Sequence, residues 1–289
     1  MNIANETIKK IKVGVLVNLA GGLSLAALKA FTMAMPSLFG LEHFAAYAVV
    51  YGLIEIISWG LFNGYGDACI YFLARGDSHS ERLLATALRQ PFLLTSLVAT
   101  CLWIGAPTLY SLLWPAQDPV LIHLLRLALP SLPALAMTYC LAEASRARLD
   151  MRWAVLCMQF LFPALTLGIG VVVHWIFGYG ILAMGWGLLL APWITLPIAL
   201  FGASRHFSLR RMLLSITDFR FDLKVARFAL PQSVAMFVNQ GLPRLDILML
   251  SLFSGPETVA VYGVLAELML VVRLPKSLLF GVFAPVVAD

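Results

Sequence analysis

The sequence from Trp153 to Phe201 reads WAVLCMQFLFPALTLGIGVVVHWIF, then GYG, then ILAMGWGLLLAPWITLPIALF. No Asp, Glu, Lys or Arg interrupts this stretch. A helix that crosses the hydrocarbon core of a bilayer needs about 20 consecutive, mostly apolar residues. The stretch therefore predicts two membrane-spanning helices, Trp153 to Phe177 and Ile181 to Phe201, joined by a short turn.

The composition extends this interpretation to the whole chain. Of the 289 residues, 61% are hydrophobic and only 12% are charged, about half the usual ~25% of a soluble domain. The mean hydropathy is +0.89. A soluble protein of this size could not hide so much apolar surface in one core. The composition excludes an ordinary cytosolic enzyme, a secreted disulfide scaffold and a disordered chain, and predicts an all-α polytopic membrane protein.

Eight segments qualify as spans. Besides the two above, they run approximately over residues 11–35, 43–61 (with an extension to 74 after the polar break at 63–67), 83–113, 120–142, 228–253 and 259–287. Many contain proline, which frees backbone carbonyls and is more typical of transporters than of inert anchors. These prolines are Pro91, Pro130, Pro133, Pro163, Pro192, Pro197, Pro231, Pro243 and Pro275.

The basic residues predict the topology. Fifteen of the 20 Lys and Arg residues fall on one predicted side of the membrane: Lys9, Lys10, Lys12, Arg75, Arg82, Arg89, Arg146, Arg148, Arg152, Arg205, Arg210, Arg211, Arg220, Lys224 and Arg227. The opposite loops (residues 36–42, 114–118, 178–180 and 254–257) have none. The positive-inside rule then places the N-terminus in the cytoplasm. This distribution also accounts for the net charge of +5 without a nucleic-acid partner, and membrane lipids are the expected contacts.

Familiar sites for metals and nucleotides are absent from the sequence. The four cysteines form no C-x-x-C pair, and the histidines form no metal-binding motif. There is neither a P-loop nor a nucleophile elbow. We expect no metal, no cofactor and no catalytic residue.

A short motif occurs twice. Gly40 to Tyr47 and Gly255 to Tyr262 both fit Gly-x-Glu-x-x-Ala-x-Tyr, and the same offset aligns Lys29 with Arg244. Six spans separate the copies, so both halves run in the same direction, as in transporters built from parallel repeats. The pattern predicts a six-helix N-terminal lobe (1–204), a basic cytoplasmic linker (205–222) and the first helix pair of a second, incomplete lobe (223–289). We therefore expect the chain to be a fragment or a truncated product.

Ionisable residues inside the predicted spans are the candidate functional residues, because burying them in a bilayer is costly. The predicted cations are Lys29, Arg126, Arg244, Arg273 and Lys276; the predicted acids are Glu55, Asp246 and Glu267, and Asn239 is a polar candidate. Alternatives remain for some of them. Lys29 could snorkel outward, Glu267 could pair with a cation on another helix, and Asn239 could bond across helices. Asp67 is predicted to be interfacial.

The last two spans resemble those of a known family. Phe228-Ala229-Leu230-Pro231, Asn239, Arg244-Leu245-Asp246, Leu252 to Glu257, Tyr262, Leu274-Pro275 and Ala284-Pro285 look like helices seven and eight of the bacterial polysaccharide flippases. These O-antigen and exopolysaccharide transporters belong to the multidrug/oligosaccharidyl-lipid/polysaccharide exporter superfamily. The first two spans resemble the opening pair of the family, whereas residues 83–201 are only generically hydrophobic.

The resemblance implies two six-helix lobes around a central cavity, in the bacterial inner membrane. Alternating access would move an undecaprenyl-diphosphate-linked oligosaccharide across that membrane. It implies a polysaccharide polymerase and chain-length proteins as partners. The intramembrane cations, with Asn239, would line the path of the anionic headgroup. Asp246, Glu267 or Glu55 would bind a coupling H⁺ or Na⁺.

Three other interpretations stay open. A multidrug or cation antiporter of the same superfamily would have a more acidic cavity. A membrane-embedded glycan enzyme would need a large extracytoplasmic loop, which this sequence lacks. A non-transporting membrane scaffold would not need charges within the membrane.

Overall fold

The computed structural model describes residues 2–74, 80–114, 118–208, 210 and 223–287, with side chains described between residues 13 and 272 except at 243 and 270. Every regular element in these ranges is helical. The helices are α1 (Asn2–Met33), α2 (Met35–Phe39), α3 (Leu41–Leu61), α4 (Asn63–Ala74), α5 (Ser80–Leu113), α6 (Val120–Ala128), α7 (Leu132–Ala147), α8 (Met151–Ala154), α9 (Phe162–Phe177), α10 (Leu182–Ser204), α11 (Leu223–Met236), α12 (Leu242–Phe253) and α13 (Pro256–Val287). The all-helical fold class is therefore confirmed.

Within the described ranges, six stretches are long and apolar enough to cross a membrane: Val13–Phe39, Leu41–Ala74, Ser80–Leu113, Val120–Ala147, Met151–Phe177 and Leu182–Ser204. They correspond to the first six predicted spans, including the extension of the second span to Ala74. The seventh predicted span corresponds to α11 and α12, and the eighth to α13. These last helices carry the charges that pack against the first helices of the chain.

Several spans contain an irregular turn, and three of these turns lie beside a proline. Phe62 separates α3 from α4, and a 3₁₀ turn (Leu129–Ser131) containing Pro130 leads into α7. A π-helical segment (Val155–Leu161) precedes α9, and another (Phe237–Gly241) precedes α12; each ends two residues before a proline. A proline has no N–H and collides with the carbonyl four residues earlier, so a wider turn ahead of it relieves the conflict.

The buried residues form two apolar cores, one above the other. The first includes Met35, Phe44, Trp114, Ile181 and Val259, which lie near the uncharged turns. The second includes Leu73, Leu84, Ala147, Phe207 and Val225, which lie near the basic loops. We call these ends of the molecule the turn end and the basic end. The alternation of short turns and basic loops in the sequence thus corresponds to the two ends of one bundle.

The first and last helix pairs are packed together. Helix α1 lies against α13, α3 lies against both α12 and α13, and α4 lies against α11. Gly64 makes the last contact possible, because a Cβ atom there would lie 2.0 Å from the carbonyl oxygen of Ala229. The Gly64 N–H instead donates to Ser233 Oγ at 3.1 Å.

The two copies of the repeated motif differ in detail. Gly40 has a φ of +88°, which favours glycine, whereas Gly255 has no positive φ. Glu42 and Glu257 both lie in the first turn of a helix, where the macrodipole favours an acid. Tyr47 is buried in the core rather than placed at the membrane interface. The superposition of α1 and α3 on α12 and α13 stays a prediction.

The predicted division into lobes is not tested by this structure. Most of the predicted linker, at residue 209 and residues 211–222, lies outside the described residues. Among the first six spans, α7 packs against α4, α5 and α10, and α9 packs against α10.

Candidate functional site

Four charged side chains from four different helices meet inside the bundle. Lys29 comes from α1, Glu55 from α3, Arg244 from α12 and Glu267 from α13. We call these residues the four-charge cluster. Each helix pair contributes one cation and one acid, and all four residues were candidates from the sequence. The cluster is one of the places where the first two spans meet the last two.

Glu267 is the centre of the cluster. Its Oε2 lies 2.7 Å from Lys29 Nζ, and its Oε1 accepts a hydrogen bond of 2.9 Å from Arg244 Nη2. Arg244 also forms an ion pair through Nε with Glu55 Oε2. A single guanidinium thus bridges the acids of both helix pairs.

Water has little access to three members of this cluster. Lys29, Arg244 and Glu267 are 9%, 5% and 5% exposed, whereas Glu55 is half-buried. Two cations and two acids give no net charge, which reduces the cost of burying them. Removing one partner of a buried pair leaves the other uncompensated and typically costs about 3–5 kcal/mol.

Aromatic rings cover the cluster on the α3 side. Lys29 Nζ donates a hydrogen bond of 3.3 Å to Tyr51 Oη and lies 4.8 Å from the centre of that ring. The Arg244 guanidinium lies 5.8 Å from the same ring, and Tyr47 stacks on Tyr51 with ring centroids 5.7 Å apart. A small gap with room for about one water molecule lies beside Arg244 and Glu267, also lined by Thr32, Phe44, Tyr47, Ala48, Tyr51, Ile247 and Gly263.

The other predicted site residues do not join this cluster. Arg126 lies against the exposed ring of Trp103 on α5, at 5.1 Å, and its Nε has no partner among the described residues. Asp246 is exposed and accepts a hydrogen bond of 2.9 Å from Tyr262 Oη. Asn239 is exposed in the π-helical segment before α12. The side chains of Arg273 and Lys276 lie outside the described residues. The structure therefore brings Lys29 and Arg244 together and leaves Arg126 apart.

Sequence reasoning missed three groups of polar residues. Tyr51, one helical turn from both Tyr47 and Glu55, had the spacing of a shared helix face as its only signal. Asp67 is not merely interfacial, because it lies beside the buried Glu143 and Arg146. At the basic end, Asp150 accepts hydrogen bonds from Arg152 Nε at 2.9 Å and pairs with His206 Nε2 at 3.2 Å.

The charges on Asp150 are set by these partners. Partial burial would raise the pKa of Asp150, but the hydrogen bonds and positive charges of Arg152 and His206 outweigh it and lower that pKa below its ordinary value. The trio ties the loop between α7 and α8 to the end of α10.

Comparison with known proteins places this geometry in a known fold. No family model matches the sequence. No curated protein matches it either. Solved structures do match. The MATE multidrug transporter DinF-BH has a TM-score of 0.73 at 17% identity, over 97% of this chain and 65% of that one. A crystal structure of MATE has a TM-score of 0.70 at 19% identity, over 97% of this chain and 64% of that one.

The chain has the fold of the MATE transporters. A third match, the inward-facing conformation of a multidrug resistance MATE family transporter of the MOP superfamily, gives a TM-score of 0.62 at 18% identity, over 94% of this chain and 64% of that one. The chain spans about two thirds of the length of these structures. With its six membrane-capable helices, it is a multi-pass helical membrane protein.

Proposed function

We propose that this chain belongs to a transporter of the bacterial inner membrane that works by alternating access, with its N-terminus in the cytoplasm. The observation that carries the proposal is the four-charge cluster, in which Glu267 contacts both Lys29 and Arg244. The cluster adds ion pairs to the apolar contacts between the first helix pair and the last pair. Ion pairs of this kind can exchange partners when a charged ligand enters.

The proposed substrate is a lipid-linked oligosaccharide, carried by its diphosphate headgroup. A diphosphate would compete with Glu267 and Glu55 for Lys29 and for the planar fork of Arg244, which suits two-point recognition of phosphate. The resemblance of residues 228–262 to the polysaccharide flippases supports this choice. The acids would then act as internal substitutes for the substrate, holding the cations while the headgroup is absent.

A multidrug or cation antiporter is the second candidate. The matching structures include transporters described as multidrug transporters, and the cluster contains as many acids as cations. A cationic substrate would compete with Lys29 and Arg244 for Glu267 and Glu55. The half-buried Glu55 is the acid that such a substrate would reach first.

Reconstitution in proteoliposomes distinguishes the two candidates. The assay measures translocation of a fluorescent lipid-diphosphate oligosaccharide and, separately, uptake of a cationic dye. If the lipid-linked substrate is correct, Arg244→Ala abolishes its translocation, and Arg244→Lys keeps only part of it because a lysine cannot bind phosphate in two-point fashion. Arg227→Ala, which removes an exposed arginine from α11, serves as the matched control.

Two results would contradict the lipid-linked substrate. Dye uptake that depends on Glu55 and Glu267, without translocation of the oligosaccharide, would establish the antiporter instead. Full translocation by Arg244→Ala would remove the cluster from the path of the substrate.

A further inference from the structure

A second group of buried charges lies in the core of the basic end. Asp67 lies on α4, and Glu143 and Arg146 lie on α7, which packs against α4. Glu143 is 2% exposed and forms an ion pair through Oε1 with Arg146 Nη1 at 2.9 Å. Asp67 lies close enough to Glu143 and Arg146 for both of their charges to act on it. The charge of Arg146 also acts on Glu143. None of these three residues belongs to the four-charge cluster.

The helices approach closely at this point because Gly66 has no side chain. A Cβ atom on Gly66 would lie 2.3 Å from Tyr139 Cε1 and 3.0 Å from Glu143 Cγ. The Glu143 side chain therefore lies directly against α4 at Gly66, which is the residue before Asp67. This approach places the Glu143 side chain beside the turn of α4 that carries Asp67.

The polar atoms of this pocket are not fully satisfied. Asp67 Oδ2, Glu143 Oε2 and Arg146 Nε are buried, and none has a hydrogen-bond partner among the described residues. Buried polar atoms almost always have partners, so three such atoms in one place indicate a missing proton, ion or water. Arg146 forms an ion pair with Glu143 and its charge also acts on Asp67, so one positive charge faces two negative charges if both acids are ionised.

The surrounding helices supply little further charge. Tyr139 and Cys140 of α7, and Tyr65 and Cys69 of α4, are the neutral titratable neighbours. On the other helices packed against α4, α5 carries the buried Arg89, α11 carries the exposed Lys224 and Arg227, and α3 carries Glu55 of the four-charge cluster. Helix α13 also contacts α4, and its Arg273 and Lys276 side chains lie outside the described residues. In the described part of the chain, Arg146 is the cation whose charge acts on both Asp67 and Glu143.

We propose that Asp67 and Glu143 form a proton-binding site in which the two carboxyl groups share a single proton beside Arg146. The shared proton removes the uncompensated charge and lets one carboxyl donate to the other. When the proton leaves, the pocket gains a buried negative charge, which favours separation of α4 and α7 or entry of water. The site is distinct from the candidates for ion coupling at Glu55, Asp246 and Glu267.

The position of the site links proton binding to the contact between α4 and α11. Helix α4 also packs against α11, at the close contact of Gly64 with Ala229. Protonation of Asp67 therefore changes the charge on α4, the helix that contacts α11 at the basic end. This coupling role rests on the proposed transport function, whereas proton binding itself does not.

Infrared difference spectroscopy tests proton binding directly. The full chain in lipid nanodiscs is titrated in Na⁺-free buffer, and the C=O stretch of protonated carboxyl groups is recorded. We expect the wild-type protein to keep one such band near neutral pH. Both Asp67→Asn and Glu143→Gln should lose it, because the remaining acid then ionises against Arg146. Glu257→Gln, at an exposed acid of α13, should keep it.

Three results would overturn the proposal. The first is that the wild-type protein lacks the band, and the second is that the band persists in both variants. The third is that added Na⁺ removes the band, which would make the pair of acids a sodium site. If Glu143→Gln does not fold, the presence or absence of the band in Asp67→Asn alone tests the proposal, because this variant leaves the ion pair between Glu143 and Arg146 intact.

A transport assay then separates coupling from transport. Asp67→Asn should lose most of the transport driven by a pH gradient and keep substrate exchange in its absence. Loss of both would assign Asp67 to the fold or the substrate path. A chain that transports nothing would contradict the proposed function and leave the spectroscopic result standing.

Discussion

Single residues inside this bundle are coupled across long distances in sequence. Arg244 contacts acids at positions 55 and 267, and Glu267 contacts Lys29. The sequence identified each of these four residues, because a charge in an apolar span is conspicuous. It did not predict the pairing, since side chains on four helices meet only through packing. Tyr51 was missed because its only signal is its spacing from Tyr47 and Glu55. Glu143 was missed because a glutamate near the end of a predicted span is not conspicuous.

Loss of Arg244 should destabilise the protein as well as impair its function. Arg244→Ala leaves Glu55 and Glu267 with only Lys29, and we expect the free energy of unfolding to fall by about 3–5 kcal/mol. The double variant Arg244→Leu with Glu267→Leu should be less destabilised than Arg244→Ala, because it strands no acid at position 267. Unfolding of the two proteins in nanodiscs, followed by tryptophan fluorescence, measures the difference. A double variant at least as unstable as Arg244→Ala would show that packing, not charge, dominates.

The lowered pKa of Asp150 predicts a contribution to the free energy of unfolding that is lost at low pH. Its folded-state pKa is lowered, so its contribution is present above the ordinary aspartate pKa of about 3.9 and is lost as the pH falls through the folded value. Because Arg152 is exposed, the contribution should stay below about 1 kcal/mol. Asp150→Asn should therefore flatten the loss of stability below about pH 4. Glu257→Gln is the control, and an identical acid slope in Asp150→Asn would contradict the prediction.

At the scale of helices, the spans were predictable and their irregularities were not. The ends of α5, of α10 and of the stretch from α8 to α9 fall within a few residues of their predicted positions, because the apolar runs have the length of the bilayer. The proline positions indicated broken regularity but not its form. Whether a proline produces a 3₁₀ turn, as at Pro130, or a π-helical segment, as before Pro163, depends on the neighbouring groups that donate hydrogen bonds to the freed carbonyl oxygens.

The contact between α4 and α11 should be sensitive to a single methyl group. Gly64→Ala places its Cβ 2.0 Å from the Ala229 carbonyl oxygen, so the helices must move apart, at a cost of about 1–3 kcal/mol. Gly105→Ala, where a Cβ meets nothing within 4 Å, should instead be neutral or stabilising by up to about 1 kcal/mol. Thermal unfolding in the same detergent compares the two. Equal stability of both variants would contradict the close approach.

For the molecule as a whole, the sequence predicted a polytopic helical membrane protein, and the structure confirms the helical class and six of the spans by length and composition. The orientation is predicted from the distribution of Lys and Arg between the loops. The repeat of the Gly-x-Glu-x-x-Ala-x-Tyr motif likewise identifies corresponding turns without showing how the lobes are arranged.

The orientation can be tested with two cysteines. In a background without the four native cysteines, Ser208→Cys at the basic end should be labelled by an impermeant maleimide only from the cytoplasmic side. Thr258→Cys, exposed at the turn end, should be labelled only from outside. Labelling of both from the same side, or the reverse pattern, would overturn the predicted topology.

The balance of charges within each helix pair has an electrical consequence. Lys29 and Glu55 cancel on the first pair, and Arg244 and Glu267 cancel on the last. Moving one elementary charge through the full membrane potential exchanges about 2.3 kcal/mol per 100 mV. Because the cluster's charges cancel within each pair, rocking one pair against the other draws no gating current from this cluster. Any voltage dependence of the cycle must then come from charges outside the cluster, such as those of the ligand or of a proton taken up elsewhere.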